Sequence, residues 1–551
     1  MEKAQLVFVP APGMGHIVSA VEVTKLLLTR CHQLSVTVLI LNHSSINSKV
    51  HSYIESQRAS SSIVSTRLRF IDLPKDETEL LSFFSFLVFV PAPGMGHIVS
   101  AVEVAKLLLT RCQQLSVTVL ILNHSSINSK VHSYIESQRA SSSIVSTRLR
   151  FIDLPKDETE LLSFFSFVNS QKSHVKEAVL KITQSDFVSS VDSPQLVGFV
   201  VDTLCASMID VANEFGVPSY IFFSSGAAFL GFMLYVQKIY DEEKFDPTEL
   251  KDSDAELQVL SLINPFPGRV MPSAMLSKDW FPSILDNIRR FREANGIIVN
   301  TFLELESYAI ESLKMPPVYP VGPILDMGSD GRNTHKEIMR WLDDQPPSTV
   351  VFLCFGSKGT FSQNQVTEIA CALEHSGHRF LWSLRRPAPP GLLASPSDYE
   401  DPQEVLPEGF LDRTTGIGKV IGWAPQVAVL GHPAVGGFVS HCGWNSILES
   451  IWFGVPIATW PLFAEQQFNA FEMVVELGLA VEIKMDYRND SGVIVNCDEI
   501  ERGIRCLMKH DGEKRRKVKE ISEKSRRALM EGGSSYSYLG SLIKDVMDNL
   551  S

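Results

Sequence analysis

The sequence predicts an α/β protein built from two parallel-sheet domains, and three observations carry that prediction. Short runs of β-branched and aromatic residues alternate with helical patterns along most of the chain. Many of those runs end in a glycine- or proline-bearing turn that leads directly into a helix, which is the punctuation of a βα unit. A polar, glycine-containing stretch, DMGSDGRNTHKE at 326–337, separates two such series and reads as a linker. The 551 residues, 44% of them hydrophobic, suffice for sizeable cores.

The first series is complicated by a tandem repeat. Residues 6–86 recur as 87–167 with two changes, Thr24 to Ala105 and His32 to Gln113. Two copies this alike do not make a solenoid, whose repeats diverge and number three or more. They read as a recent duplication or a gene-model error. Removing 81 residues leaves 470 (551 − 81). Each copy holds LVFVPAPGMGH as a buried strand and turn, followed by an amphipathic helix. SVTVLIL and TRLRFIDLP then supply two more strands. Only one copy can fill the central slot of a sheet. The second is joined directly to residue 168, so 87–167 is the expected working copy and 1–86 the extra one. Looping out 81 residues to use the first copy carries a modest entropic cost, about 0.6 kcal/mol per doubling of loop length. The displaced copy must bury its apolar strands elsewhere or expose them.

From residue 168 the alternation continues. VNSQKSHVKEAVLKI is helical, LVGFVV is a strand ending at Asp202, and 203–215 is a helix. SYIFFSS is the next strand, 226–240 a helix, and DEEKFDPTELKDSDAELQ an acidic variable stretch. GIIVNTFLELE and VYPVGPIL close the domain, which is expected to span 87–325. Beyond the linker, the second domain (338–533) opens with the helix IMRWLDDQ and the strand STVVFLCFGS. FLWSLRR (380–386) and KVIGWAPQ (419–426) read as further strands, and 498–510 and 513–531 as helices. The last helix, within 534–551, is expected to return to the first domain.

The densest stretch is 423–466, WAPQVAVLGHPAVGGFVSHCGWNSILESIWFGVPIATWPLFAEQ. Gly436–Ser440 reads as a buried strand, His441–Asn445 as a tight turn and Ser446–Phe453 as a helix. Ser446 and Glu449 have capping-box spacing, and Gly454 before Val455-Pro456 ends the helix. A strand, a glycine turn and a helix N-terminus make an anion site, because unpaired backbone N–H groups face outward there.

Over all 44 positions (466 − 423 + 1) this stretch resembles the signature box of plant UDP-sugar-dependent glycosyltransferases of small metabolites, family one. The resemblance implies a GT-B fold, two Rossmann-like domains facing a cleft. The acceptor would enter from the N-terminal side and the nucleotide sugar from the C-terminal side. It implies that Trp423 stacks on uracil beside Ala424, and that Gln426 and Glu449 hold the ribose. His441, Asn445 and Ser446 would meet the diphosphate, with Ser357 of the turn Gly356–Gly359 among the donor contacts. Trp444 would pack near the sugar, and Glu465 and Gln466 would bond its hydroxyls, the final Gln being associated with glucose. The resemblance also makes His97, in PAPGMGH, the general base and Asp202 the carboxylate that orients it. Those two are 105 residues apart (202 − 97), whereas His16 would be 186 away (202 − 16).

Glucosyl transfer to a hydroxyl needs a base for the acceptor proton and stabilisation of the departing diphosphate. In-line attack would invert the anomeric centre and give a β-glucoside. No metal or other cofactor is expected, since helix amides and polar side chains would take the diphosphate charge. The one D-x-D string, Asp252-Ser253-Asp254, reads as solvated surface. The acceptor pocket is expected around Phe222–Phe245 and Pro265–Phe281, suiting a flat apolar aglycone such as a flavonoid, other phenol or terpenoid.

Charge and cysteines narrow the alternatives. A net charge of −13 argues against nucleic-acid and anionic-membrane partners. No apolar run reaches membrane-spanning length. The eight cysteines include no CxxC pair, so a reduced, cytoplasmic chain without a disulfide framework is expected; a monomer is the separate expectation for its assembly. A nicotinamide oxidoreductase is rejected: PAPGMGH lacks the third glycine of a dinucleotide loop, and the following strand ends in Asn123-His124 instead of an acid. The remaining alternative is a non-catalytic UDP-sugar binder whose acceptor domain the duplication has damaged.

Overall fold

The computed structural model describes residues 4–8, 14–30, 34–40, 53–57, 67–72, 85–124, 129–141, 145–156, 163–184, 195–251, 253–314, 316–327, 336–388, 396–509 and 512–548. Two compact units divide the chain. One comprises residues 1–85 with the short pieces 142–144 and 182–195; the other comprises 86–141, 145–181 and 196–551.

In the smaller unit the first copy of the repeat makes a three-stranded parallel sheet, in the order Ala4–Phe8, Leu34–Ile40, Leu68–Asp72. Helix Met14–Arg30 belongs to the same unit. Val36 pairs with Leu68 here, and Val117 pairs with Leu149 in the second copy, so the shared sequence sets one register twice. What differs is the surroundings. Val23 and Leu27 are 46% and 37% exposed, while their counterparts Val104 and Leu108 are buried at 0% and 1%. Thr24, where the second copy has Ala105, buries its hydroxyl without a hydrogen-bond partner among the described residues. A buried hydroxyl left so costs about 1–3 kcal/mol.

The larger unit contains two parallel sheets. The first has seven strands, in the order Val318–Pro320, Gly296–Val299, Ser219–Phe223, Leu196–Asp202, Ser85–Val90, Leu115–Ile121, Leu149–Asp153. Strand Ser85–Val90, which enters the second copy at Leu87, therefore pairs with Leu196–Asp202. Its residues are buried on both faces, as a central parallel strand requires. Helix Met95–Arg111 covers this sheet with Ile98, Ala101, Val102, Ala105, Leu108 and Leu109, an apolar stripe at three- and four-residue spacing. Leu539, Leu542 and Val546 of the terminal helix Ser534–Asp548 join that core. Ser535 Oγ bonds Gly322 O at 2.6 Å and Tyr319 donates to Asp545 on the same helix.

The second sheet has six strands, in the order Gly418–Ile421, Arg379–Ser383, Val350–Cys354, Val435–Ser440, Ile457–Thr459, Ala480–Glu482. Several sequence expectations shift here. KVIGWAPQ leaves its strand at Ile421, and Gln426 already starts a short helix to Leu430. The helix expected over 203–215 divides into a 3-10 segment, Thr203–Met208, and an α-helix, Ile209–Glu214, because Cys205 has non-helical dihedrals. The expected capping box is absent. The helix starts at Trp444 with Gly443 as N-cap and no side-chain cap, which places Ser446 inside it. Gly454 does close that helix, in the left-handed region at φ 70°.

The two halves of this unit are joined where Arg488 donates to Arg269 O and Met271 O at 2.9 and 2.8 Å, and a buried carboxyl pair lies between them. Glu306 Oε1 accepts the Ala228 N–H at 2.6 Å. Glu306 and Glu472, 3% and 1% exposed, sit close enough to influence each other's charge. Burial pushes Glu472 well above the usual carboxylate range, and the neighbouring Glu306 charge adds to it. A carboxyl whose folded pKa is raised contributes stability below its unfolded pKa and loses it as pH rises through the folded value. Stability should therefore decline between a pH near the ordinary carboxylate value and one well above it. In Glu472→Gln that decline should flatten, which urea midpoints at the two pH values will show.

Candidate active site

The loop after strand Ser85–Val90 carries the chain into helix Met95–Arg111, with Gly94 as N-cap, so His97 sits in the first helical turn. Asp202 is the last residue of the adjacent strand. The pairing of those strands brings the two side chains together, and His97 Nδ1 lies 2.8 Å from Asp202 Oδ2. The carboxylate is 1% exposed and the imidazole 34%. Asp202 also caps the next segment, its Oδ1 accepting the Leu204 N–H at 2.9 Å. The helix-cap and histidine-partner roles coexist because each uses a different oxygen. Burial lowers the His97 pKa, but the Asp202 charge and hydrogen bond, helped by Glu465, outweigh it and leave it above the ordinary value. His16 occupies the corresponding third position of helix Met14–Arg30 in the other unit.

Across from this pair lies the turn after strand Val435–Ser440. His441 is buried, and burial alone drives its pKa down to about 4, so the ring is neutral. Its Nδ1 is buried without a partner among the described residues. The ring is enclosed by two glycines: a Cβ on Gly356 would lie 2.5 Å from its Nε2, and one on Gly443 2.6 Å. Gly356 also has φ +73°, a conformation that itself favours glycine. Cys442 and Ala464, at φ 63° and 60°, are non-glycine residues in the same region. They stand next to His441 and Glu465, and each stores about 1 kcal/mol of strain.

The other predicted donor residues divide into two sets. Gln426 Nε2 donates to Ser446 Oγ at 2.8 Å and to a Glu449 carboxylate oxygen at 2.7 Å, making one compact polar cluster. Burial raises Glu449 to about 7, partly opposed by Gln426. Trp423 is half-buried, with the Lys130 ammonium 3.3 Å from its ring centroid and the Arg385 guanidinium 5.2 Å away; Ala424 beside it is buried. Glu465 is close enough for its charge to act on His97. Gln466 Oε1 accepts the Leu462 and Phe463 N–H groups at 2.9 and 3.1 Å, leaving its amide nitrogen for a ligand. Ser357 lies exposed in the turn that holds Gly356.

Trp444 and Asn445 are engaged differently. Trp444 Nε1 donates to Asn300 O at 2.7 Å, and the ring lies so close to Gly226 that a Cβ there would come within 2.8 Å. Asn445 bonds Ser100 Oγ at 3.1 Å and Asn300 Nδ2 at 3.3 Å. Both side chains thus tie the donor turn to the first sheet. Asn300, fully buried, fixes Ile324 N as well, at 2.8 Å. Sequence reasoning missed Asn300; its signal was a polar residue just past the carboxyl end of a parallel strand.

The residues expected around the acceptor also divide. Phe229, Phe232 and Phe266 pack on Phe468 at 4.9–5.4 Å and are core. A second aromatic group is more open: Phe164 and Phe165 lie 6.0 and 5.7 Å from Trp280, which is 45% exposed, and His124 is 5.7 Å from Phe164. Lys358 lies near enough to both His124 and His97 to lower their pKa values. Of the D-x-D string, Asp252 lies outside the described residues, and Asp254 is exposed beside Arg269 at 3.5 Å.

Known proteins show the family and the fold to which these residues belong. Residues 324–500 match the family model described as UDP-glucoronosyl and UDP-glucosyl transferase. The chain is 72% identical over 453 residues to anthocyanidin 3-O-glucosyltransferase 1 of Manihot esculenta, covering 82% of this chain and 100% of that one. The chain belongs to the plant UDP-glycosyltransferase family. Its structure superposes on a glycosyltransferase of Siraitia grosvenorii in complex with UDP with TM-score 0.77 and 50% identity, covering 84% of this chain and 100% of the other. For Medicago truncatula UGT71G1 complexed with UDP-glucose the values are 0.74 and 42%, covering 85% and 99%. The fold of this glucosyltransferase is GT-B. Among the described residues no helix is long and apolar enough to cross a membrane.

One expected result follows from Glu449. A carboxylate receives ribose hydroxyls better than a carboxylic acid does, and this one titrates at about 7. If it holds the ribose of UDP-glucose, affinity should fall as pH drops below about 7. Glu449→Gln should weaken binding about tenfold, as loss of a charge-assisted bond does, and flatten the pH dependence. Calorimetric titration with UDP-glucose at several pH values checks both.

Proposed function

We propose that this glycosyltransferase moves glucose from UDP-glucose to a hydroxyl of a flavonoid or related phenolic, with His97 of the second copy as general base. The observation that carries this reading is the 2.8 Å bond from His97 Nδ1 to the buried Asp202 carboxylate. That bond fixes the tautomer with the proton on Nδ1. Nε2 is then free to take the acceptor proton, and Asp202 stabilises the imidazolium that forms. As the acceptor oxygen attacks the anomeric carbon from the face opposite UDP, the configuration inverts and a β-glucoside results.

On the donor side, the Gly443 helix start and the neutral His441 ring would meet the diphosphate, and the unpartnered Nδ1 is the kind of buried atom a ligand satisfies. Gln426, Ser446 and Glu449 would hold the ribose, and Trp423 the uracil. Glu465 and the Gln466 amide would bond the sugar. The Asn445 and Trp444 side chains, committed to Ser100 and Asn300, would position the turn and leave ligand contact to their backbone. His124, Phe164 and Trp280 would offer a flat acceptor its apolar wall. No step in this scheme calls for a metal, and a cytoplasmic monomer remains the expected state.

The test is transfer by the purified enzyme from UDP-glucose to a flavonoid panel, with the anomeric configuration of the product read by nuclear magnetic resonance. A β-linked product is expected. An α-linked product would exclude single in-line displacement.

A further inference from the structure

The cysteine expectation is overturned on the C-terminal half. Cys371, in helix Gln363–Ser376, and Cys497, the first residue of helix Cys497–Leu507, are joined by a disulfide, with Cα atoms 5.8 Å apart. They are 126 residues apart in sequence, so no local motif announces the pair. His375, one turn after Cys371, places Nδ1 3.8 Å from the Cys371 sulfur and 3.5 Å from that of Cys497. Glu501 lies 3.8 Å from the same nitrogen, and the Cys497 N–H donates to Glu368 at 2.6 Å. The His375 side chain is 61% exposed and Cys371 half-buried, whereas Cys497 is buried. Cys112, Cys205, Cys354, Cys442 and Cys506 are free thiols.

Three potential ligand atoms within 4.8 Å of one another also suggest a metal site. The two sulfurs are bonded to each other, however, and so cannot both serve as thiolate ligands. An exposed imidazole beside a reachable sulfur and a buried partner sulfur is instead the arrangement of thiol–disulfide exchange.

We propose that Cys371, His375 and Cys497 form a reversible redox clasp, closed by a small-molecule disulfide such as oxidised glutathione. In the reduced chain His375 takes the Cys371 thiol proton, and the thiolate attacks one sulfur of the small disulfide, expelling a thiolate. The Cys497 thiol then loses its proton to the imidazole or solvent. Its thiolate attacks the Cys371 sulfur, forms the protein disulfide and expels the second small thiolate. The protein gives up two electrons and two protons, and one small disulfide becomes two thiols. The clasp brackets the whole donor stretch, Trp423–Gln466, which lies between the two cysteines. Closing so long a loop restricts the unfolded chain far more than it alters the folded site. The clasp therefore regulates how long the enzyme survives, and leaves its turnover unchanged.

The experiment uses the full chain, reduced with dithiothreitol, freed of reductant and exposed to oxidised glutathione. The free-thiol count should fall by two, and peptide mapping should find Cys371 linked to Cys497. The melting temperature should rise by about 5 °C or more, with transfer activity within about twofold. His375→Ala should slow closure about tenfold without changing its final extent. Cys371→Ser should abolish the melting shift, and Cys497→Ser should do the same. An unchanged thiol count, a linkage between other cysteines, no melting shift on oxidation, or uptake of one equivalent of zinc by the reduced chain would each overturn the proposal. These readouts are thiol chemistry and melting, so they stand apart from the catalytic reading.

Discussion

His97→Ala should lower kcat by about 10³-fold or more, while His16→Ala should leave it within about twofold. Both histidines follow the same PAPGMG sequence and occupy the third position of matching helices. Only the helix bearing His97 belongs to the sheet that contains Asp202, because strand Ser85–Val90 pairs with Leu196–Asp202. Steady-state transfer by the two single variants and the double variant distinguishes the possibilities. Equal losses in both single variants would mean that the two copies exchange places in the working sheet. The Thr24 hydroxyl, buried without a partner where the second copy has Ala105, weighs against such exchange.

The second large effect is expected at Asp202. Asp202→Asn keeps the size of the side chain and removes its charge, so the imidazolium formed during proton abstraction loses its stabilising partner. A loss of about 10²–10⁴-fold in kcat is expected, the range general-base catalysis spans. The pH profile gives a second, independent signature. His97 must be neutral to act, and its pKa lies above the ordinary value chiefly because the Asp202 charge and bond outweigh burial. Activity should therefore decline as pH falls through a value above 6.5, the ordinary value for histidine. In Asp202→Asn burial is left less opposed, and the acidic limb should move to lower pH. An acidic limb that stays put would show that another group controls the protonation step.

Much of the site was legible because it follows from local sequence. The runs that form strands Val435–Ser440 and Leu196–Asp202 are apolar and end in polar residues, so their carboxyl ends could be read directly. Gly454 ended its helix as glycine after a periodic segment does. Ser446 and Glu449 misled for an instructive reason. Their spacing meets the capping-box pattern, but Gly443 supplies an extended N-cap three residues before the apparent start (446 − 443), and Gln426 then claims both side chains.

What escaped the sequence is what depends on distant partners. Asn300 becomes a hub only when Trp444 and Asn445, about a quarter of the chain later, fold back onto it. The buried carboxyl pair Glu306 and Glu472 and the disulfide of Cys371 and Cys497 bring together segments with no sequence proximity. The proposed acceptor wall was sought around Phe222–Phe245, whose aromatic residues are mostly core, and Pro265–Phe281, which does contain the open ring of Trp280; its stacking partner Phe164 lies far outside both ranges. The duplicate shows the same limit from the other side. Val23 and Val104 share one local sequence, yet one is half exposed and the other fully buried. Apart from the neighbouring Thr24, which is Ala105 in the second copy, what differs is the tertiary surroundings.

The central claim, that the full 551-residue chain is a working glucosyltransferase despite its extra copy, is tested most directly by one assay. The purified full chain is given UDP-glucose and a flavonoid, and hexose-shifted product and released UDP are followed together. The account predicts that product and UDP appear in equal amounts, at a rate that His97→Ala abolishes. UDP-glucose binding without any product across the panel would contradict it, and would make the chain a nucleotide-sugar binder.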